Sequence, residues 1–167
     1  MVPGAATLPA RRLPAIRAVT EPASGLALKT RGAARCEDAE IMPTVLIVDD
    51  HPGFRGWART VLQAEGFGVV GEAADGAAAI QAVRALRPDV VLLDVQLPDM
   101  NGFEVAERLR GDGAGGAVVL ISSRDAADYG TRVSSSPVAG FLAKADLSGA
   151  ALAAVLDGAR PGPGPGR

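Results

Sequence analysis

Asp94 ends a run of four apolar residues, Val90-Val91-Leu92-Leu93, and Pro98, Asn101 and Gly102 follow it. A carboxylate at such a position can act as a nucleophile towards a phosphoryl group, provided the charge on the transferring oxygens is neutralised. Other strand-like runs end in polar residues too. Thr44-Val45-Leu46-Ile47-Val48 leads into Asp49-Asp50, Ala117-Val118-Val119-Leu120-Ile121 into Ser122-Ser123, and Ala139-Gly140-Phe141-Leu142-Ala143 into Lys144. If these segments are parallel neighbours, one edge of the sheet gathers three carboxylates, hydroxyls and an ammonium. Carboxylates crowded together repel one another unless a cation joins them. Mg2+ suits the task, because it takes oxygen ligands, keeps several waters and bridges carboxylate to phosphate.

The elements that must position these residues alternate. Pro52 opens a helical pattern in which Phe54, Trp57, Ala58, Val61, Leu62 and Glu65 share a face, and Gly66 stops it. This spacing predicts Trp57 in the core or between helix and sheet. Gly68 to Ala74 reads as a second strand. Asp75 is an N-cap candidate, and Ala77, Ile80, Val83 and Leu86 carry a second helix that Arg87-Pro88 ends. Asn101 can cap a third helix, with Phe103, Ala106 and Leu109 inward and a break from Gly111 to Gly116. The run Arg124 to Ser136 has poor helical composition and predicts a short or mobile element. Leu147, Ala151, Leu152, Val155 and Leu156 mark a last helix. This alternation is the pattern of an α/β fold with a parallel, doubly wound sheet. Short right-handed crossovers favour the flavodoxin-like order 2-1-3-4-5, with helices on both faces and ligands bound at the carboxyl ends of the strands.

Over residues 44 to 158 the chain resembles the response regulator receiver domains of two-component signalling. The resemblance rests on five ordered landmarks: Asp49-Asp50, Asp94 with Leu97-Pro98 and Gly102, Ser122 with small Ser123, Phe141, and Lys144. It implies that Asp94 is the phosphoacceptor, and that Asp50, Asp94 and the backbone carbonyl of Gln96 hold Mg2+ while Asp49 helps through water. It also implies that Lys144 and Ser122 contact the phosphoryl oxygens and that Phe141 and Ser122 switch an interaction face. The implied donor is a histidine kinase, a phosphotransfer protein or a small phosphodonor such as acetyl phosphate. The downstream protein target is unknown, and phosphorylation could bring two copies together. Gln96 and Arg124 flank the acceptor and are expected to tune dephosphorylation. In many receivers proline follows the lysine, often through a cis peptide. Here Ala145 follows Lys144, so the bond is expected to be trans or strained, since a non-proline cis bond costs about 2.5–4 kcal/mol.

Composition narrows the alternatives. Net charge is −2, hydrophobic residues make up 48% and charged residues 22%, and Cys36 is the only cysteine. That balance predicts one globular domain without an internal disulfide, cytoplasmic, with no electrostatic footprint for nucleic acid. No apolar run approaches the roughly 20 residues needed to span a bilayer. Residues 1–41 carry Pro3, Pro9, Pro14 and Pro22, and six Lys/Arg against four Asp/Glu. They are expected to be disordered, or not translated at all if the start is Met42. The receiver is then 42–158, and the Pro/Gly stretch 159–167 a disordered tail. No helix-turn-helix pattern follows the domain, so output is expected through protein contacts. His51, the only histidine, makes a poor nitrogen-based metal site alone. A haloacid-dehalogenase-like phosphatase would want an acid two residues after Asp94, where Gln96 stands. No nucleotide-binding glycine motif occurs. Enzymatic activity beyond self-phosphorylation and self-dephosphorylation at Asp94 is not expected. Phosphorylation-independent partner binding is the remaining alternative.

Overall fold

The computed structural model describes residues 42–114 and 116–159. The expectations for 1–41 and for most of the 159–167 tail lie outside the described residues. Five strands, β1 (Thr44–Val48), β2 (Gly68–Ala73), β3 (Val90–Asp94), β4 (Ala117–Ser122) and β5 (Gly140–Ala143), form one parallel sheet in the order β2-β1-β3-β4-β5. This is the flavodoxin-like order. The helices are α1 (Pro52–Ala64), α2 (Gly76–Leu86), α3 (Gly102–Gly111), α4 (Arg132–Ser135) and α5 (Gly149–Ala159).

Side chains alternate across the central strands, so the sheet feeds two cores. Leu46, Val48, Val91, Leu93, Val118 and Leu120 point to one face, with Ile80 and Val83 of α2 and Phe103, Ala106 and Leu109 of α3. Val45, Ile47, Val90, Leu92, Val119 and Ile121 point to the other, with Ala58 and Leu62 of α1 and Leu152 of α5.

Several boundaries and faces differ from the sequence expectation. Trp57 is 45% exposed, with its ring against Phe54 at 5.6 Å between centroids. Ala58 and Leu62 alone of α1 are fully buried, so the core-facing stripe is narrower than the periodicity suggested. Glu65 faces no core either: its carboxylate accepts from the Ala150 N–H and caps α5. On α2, Ala79 is buried and Leu86 is 44% exposed, so the stripe is rotated from Ala77 and Leu86. β2 ends at Ala73, one residue early. α3 ends at Gly111, where the break was expected, and α5 runs through Gly158 to Ala159. The run after Ser123 is short, as expected: a 3-10 turn at Ala126–Tyr129 and then the four residues of α4. No cis peptide occurs among the described residues, so the Lys144–Ala145 bond is trans.

Two devices hold the Asp94 loop. Gly102 starts α3 so close to β3 that a Cβ there would lie 2.5 Å from the Asp94 carbonyl oxygen, a space only glycine leaves. Asp99 reaches across to α2, accepting from the Gly76 N–H at 2.8 Å and the Ala77 N–H at 2.9 Å, while Asp75 accepts from Ala78. The orphan donors of the α2 N-terminus are thus met by two carboxylates, one of them from the Asp94 loop. The bond from Gly76 holds the Asp99 carboxyl below its ordinary range; desolvation opposes it, and the bond from Ala77 helps to lower it.

Asp99→Ala is expected to destabilise the domain by about 1 kcal/mol in urea unfolding at pH 7. Because the folded pKa of Asp99 lies below the unfolded one, its contribution is present above the unfolded value and disappears as pH falls through the folded value. The difference between the two proteins should therefore shrink below about pH 4; a gap that stays constant down to acid would contradict the cap.

Candidate functional site

Parallel register brings the strand ends to one rim. Val48 pairs with Leu93, Asp94 with Ile121, and Ser122 with Ala143, so Asp49, Asp94, Ser122 and Lys144 arrive side by side. Three of them turn the chain by the same local bond. Asp49 Oδ1 accepts from the His51 N–H at 2.8 Å, Asp94 Oδ1 from the Gln96 N–H at 3.1 Å, and Ser122 Oγ from the Arg124 N–H at 3.1 Å. Aspartate and serine favour such turns because their short side chains reach the backbone two residues on.

Lys144 joins the acids. Its Nζ lies 2.6 Å from Asp49 Oδ2 and donates to Asp94 Oδ2 at 3.0 Å. The contact with Asp49 Oδ2 does not meet hydrogen-bond geometry, yet at that distance charge attraction dominates. The ammonium also sits 4.7 Å from the ring centre of Phe54. Asp49 is fully buried and Asp94 nearly so, whereas Asp50 opens to solvent. Burial pushes the Asp94 carboxyl above its ordinary value, aided by the charge of Asp49 and opposed by Lys144 and the Gln96 N–H. Lys144 is pulled down by burial, but the neighbouring Asp49 and Asp94 carboxylates outweigh this and hold it above the usual lysine value.

Asp49, Asp50 and Asp94 each present an oxygen, and His51 a nitrogen, all within 4.8 Å of one another. His51, discounted from the sequence, therefore stands at the rim with its Nδ1 2.7 Å from Asp50 Oδ1. Three carboxylates face one ammonium, and the excess of two negative charges with hard oxygen donors fits a divalent cation of the Mg2+ class. The acidic pocket can hold such an ion.

A model of the response regulator receiver domain matches residues 45–155. The chain belongs to the response regulator receiver family. A putative transcriptional regulator of Pseudomonas aeruginosa is 38% identical over 114 residues, covering 68% of this chain and 55% of that protein. The probable transcriptional regulatory protein NarL of Mycobacterium tuberculosis is 40% identical over 117 residues, covering 70% of this chain and 54% of that protein. The chain thus spans about half the length of these curated relatives. Among solved structures, the signal receiver domain of the putative response regulator NarL from M. tuberculosis superposes with a TM-score of 0.64 at 40% identity, over 71% of this chain and 97% of that one. The chemotaxis response regulator CheY4 of Vibrio cholerae gives 0.61 at 27% identity, over 71% and 98%.

In this receiver Asp49, Asp50, Asp94, Ser122 and Lys144 gather at the rim, whereas Leu97 and Phe141 pack against the α2–α3 core. Phe141 is half-buried, packed at the edge of the α2–α3 core, and its ring centre lies 5.8 Å from that of Tyr129. Gln96 contributes its N–H to Asp94 and pairs with Asn101 in an isolated bridge. Asp99, the other acid of the acceptor loop, is committed to α2. Three residues escaped the sequence reading. Phe54 lies beneath Lys144, Arg55 donates to the Asp49 carbonyl at 2.6 Å, and the Tyr129 hydroxyl is 2.7 Å from Ser122 Oγ. Only Phe54 left a sequence signal, its place one turn from Ala58; Tyr129 lies in a run whose composition hides any face.

Lys144→Met removes the one cation shared by two buried acids. Without added divalent ion we expect a loss of about 3 kcal/mol at pH 7 by urea unfolding, the scale of an uncompensated buried charge. Asp94, already raised, would rise further. A raised folded carboxyl is a penalty above that pKa that falls away as the pH drops, so the deficit should narrow between pH 7 and 5. A variant as stable as the parent at pH 7 would refute the shared-cation account.

Proposed function

We propose that this receiver accepts a phosphoryl group on Asp94 from a phosphohistidine of a histidine kinase or phosphotransfer protein, and acts as a switch through protein contacts. The observation that carries the reading is the rim itself: a buried carboxylate at a strand end, with an ammonium 3.0 Å from one oxygen and two further acids beside it. The Asp94 oxygen attacks phosphorus, the P–N bond to the donor imidazole breaks, and the imidazole leaves with the electron pair. Lys144 stays charged at neutral pH and is placed to pair with a phosphoryl oxygen. Ser122 offers one hydroxyl hydrogen to another. Asp50, Asp94 and the Gln96 backbone carbonyl would hold Mg2+, with Asp49 acting through water; bound there, the ion neutralises charge on the transferring oxygens.

The elements of output follow from position. A phosphoryl group on Asp94 draws Ser122 towards it, and Phe141 turns inward, altering the face of α4, β5 and α5. The domain performs no turnover beyond phosphorylation and dephosphorylation at Asp94. Among the described residues no helix is long and apolar enough to cross a membrane, and we place the receiver in the cytoplasm with its kinase. The two curated relatives are named a putative transcriptional regulator and a probable transcriptional regulatory protein, which supports a target in transcriptional control reached through protein contacts.

Acetyl phosphate with Mg2+ is expected to add one phosphoryl group, seen by intact mass. Asp94→Asn should abolish the addition and chelation of Mg2+ should suppress it, while Asp99→Asn should leave it intact because that carboxylate caps α2. Equal labelling of the Asp94 and Asp99 variants would rule out the assignment.

A further inference from the structure

Ser122 is 3% exposed, and its hydroxyl has a single hydrogen to give. Its oxygen already accepts from the Arg124 N–H, and among the described residues the one acceptor in bonding range for its hydrogen is the Tyr129 hydroxyl at 2.7 Å. Buried hydroxyl hydrogens are bonded as a rule, whereas half-buried Tyr129 can point its own hydrogen to water. These constraints make Ser122 the donor. The Tyr129 ring is in turn wedged between Phe103 and Phe141, with centroids 5.8 Å away on either side, and Arg132 of α4 lies over Phe103 at 4.6 Å. Tyr129 ends a 3-10 turn without a side-chain cap, followed by Gly130 at φ 55°.

We propose that Tyr129 is a positioning residue for Ser122: its hydroxyl engages the Ser122 hydrogen in the unmodified domain and competes with a phosphoryl oxygen for it. The inference rests on the phosphorylation of Asp94 argued above. Ser122 can give its hydrogen to a phosphoryl oxygen only by releasing Tyr129. The freed tyrosine sits against Phe141, so the exchange at Ser122 reaches the ring that the switch must turn. A purely structural tyrosine would serve by its ring alone, and phenylalanine would then replace it without effect on phosphorylation.

Tyr129 is the only tyrosine, so 3-fluorotyrosine incorporated into the full chain reports on this position alone. Without donor, Ser122→Ala is expected to move the fluorine resonance while the protein still unfolds in one cooperative thermal transition; an unmoved resonance overturns the bond. With acetyl phosphate and Mg2+, the parent should develop a resonance at the position of the Ser122→Ala protein, and Asp94→Asn should not. At sub-saturating acetyl phosphate, Tyr129→Phe, which keeps the ring, should raise the ratio of phosphorylated to free protein about fivefold, the scale of one neutral hydrogen bond. An intact-mass gain on Asp94 with an unmoved Tyr129 resonance, or an unchanged ratio in Tyr129→Phe, defeats the competition while leaving the phosphoacceptor reading in place. No mass gain in the parent defeats both that reading and the competition, and the Ser122→Ala comparison then reports only on the resting bond.

Discussion

Burying two carboxylates side by side is costly unless a positive group stands between them, and the shared Lys144 ammonium meets that cost here. Asp49 and Asp94 sit on neighbouring strands because β1 and β3 are paired in register. Lys144 comes from the far side of β4, on the end of β5. Its span across the rim therefore links the ends of three strands, β1, β3 and β5, that are distant in sequence. Phe54 beneath the ammonium and Arg55 on the Asp49 carbonyl tie the first helix to the same point. Since three acids meet one lysine, the arrangement is neutralised only in part, and this residual charge is what makes the rim a site for a cation and an anion together.

The geometry of the rim follows from very local chemistry. At Asp49, Asp94 and Ser122 a side-chain oxygen catches the backbone two residues on, so the chain leaves the sheet at once and the polar group stays at the mouth. The parallel ladder then needs only to align the strand ends. Two cores of opposite side-chain parity fix that alignment, since a slip by one residue would exchange buried positions between the faces.

Much of this was legible in the sequence because β1, β3 and β4 are uninterrupted apolar runs of β-branched and leucine residues, and each ends in a polar residue. Strand order, the rim residues and the Asp75 and Asn101 caps all follow from such short-range signals. Where the reading failed, the deciding interaction was tertiary. Trp57 satisfies helical periodicity, but the sheet beneath α1 is covered by small Ala58 and by Leu62, leaving the indole outside. Glu65 and Asp99 look like ordinary solvated acids, yet each caps a helix remote in sequence, and no local pattern encodes the donor they meet. Tyr129 was invisible for the same reason: its partner is set by the path of the loop after β4.

The contrast between the two flanks of Asp94 gives the domain a one-sided compliance. Towards α2 the acceptor loop is bolted by a charged carboxylate on two helix-end amides and by a glycine pressed against the strand, so displacement there must break charge-assisted bonds. Towards the loop after β4, one bond between neutral hydroxyls closes the contact, backed by aromatic rings that can slide. Mechanical work entering at the carboxylate meets a stiff wall on the first side and a yielding one on the second, so the shape of the molecule itself selects the direction of travel.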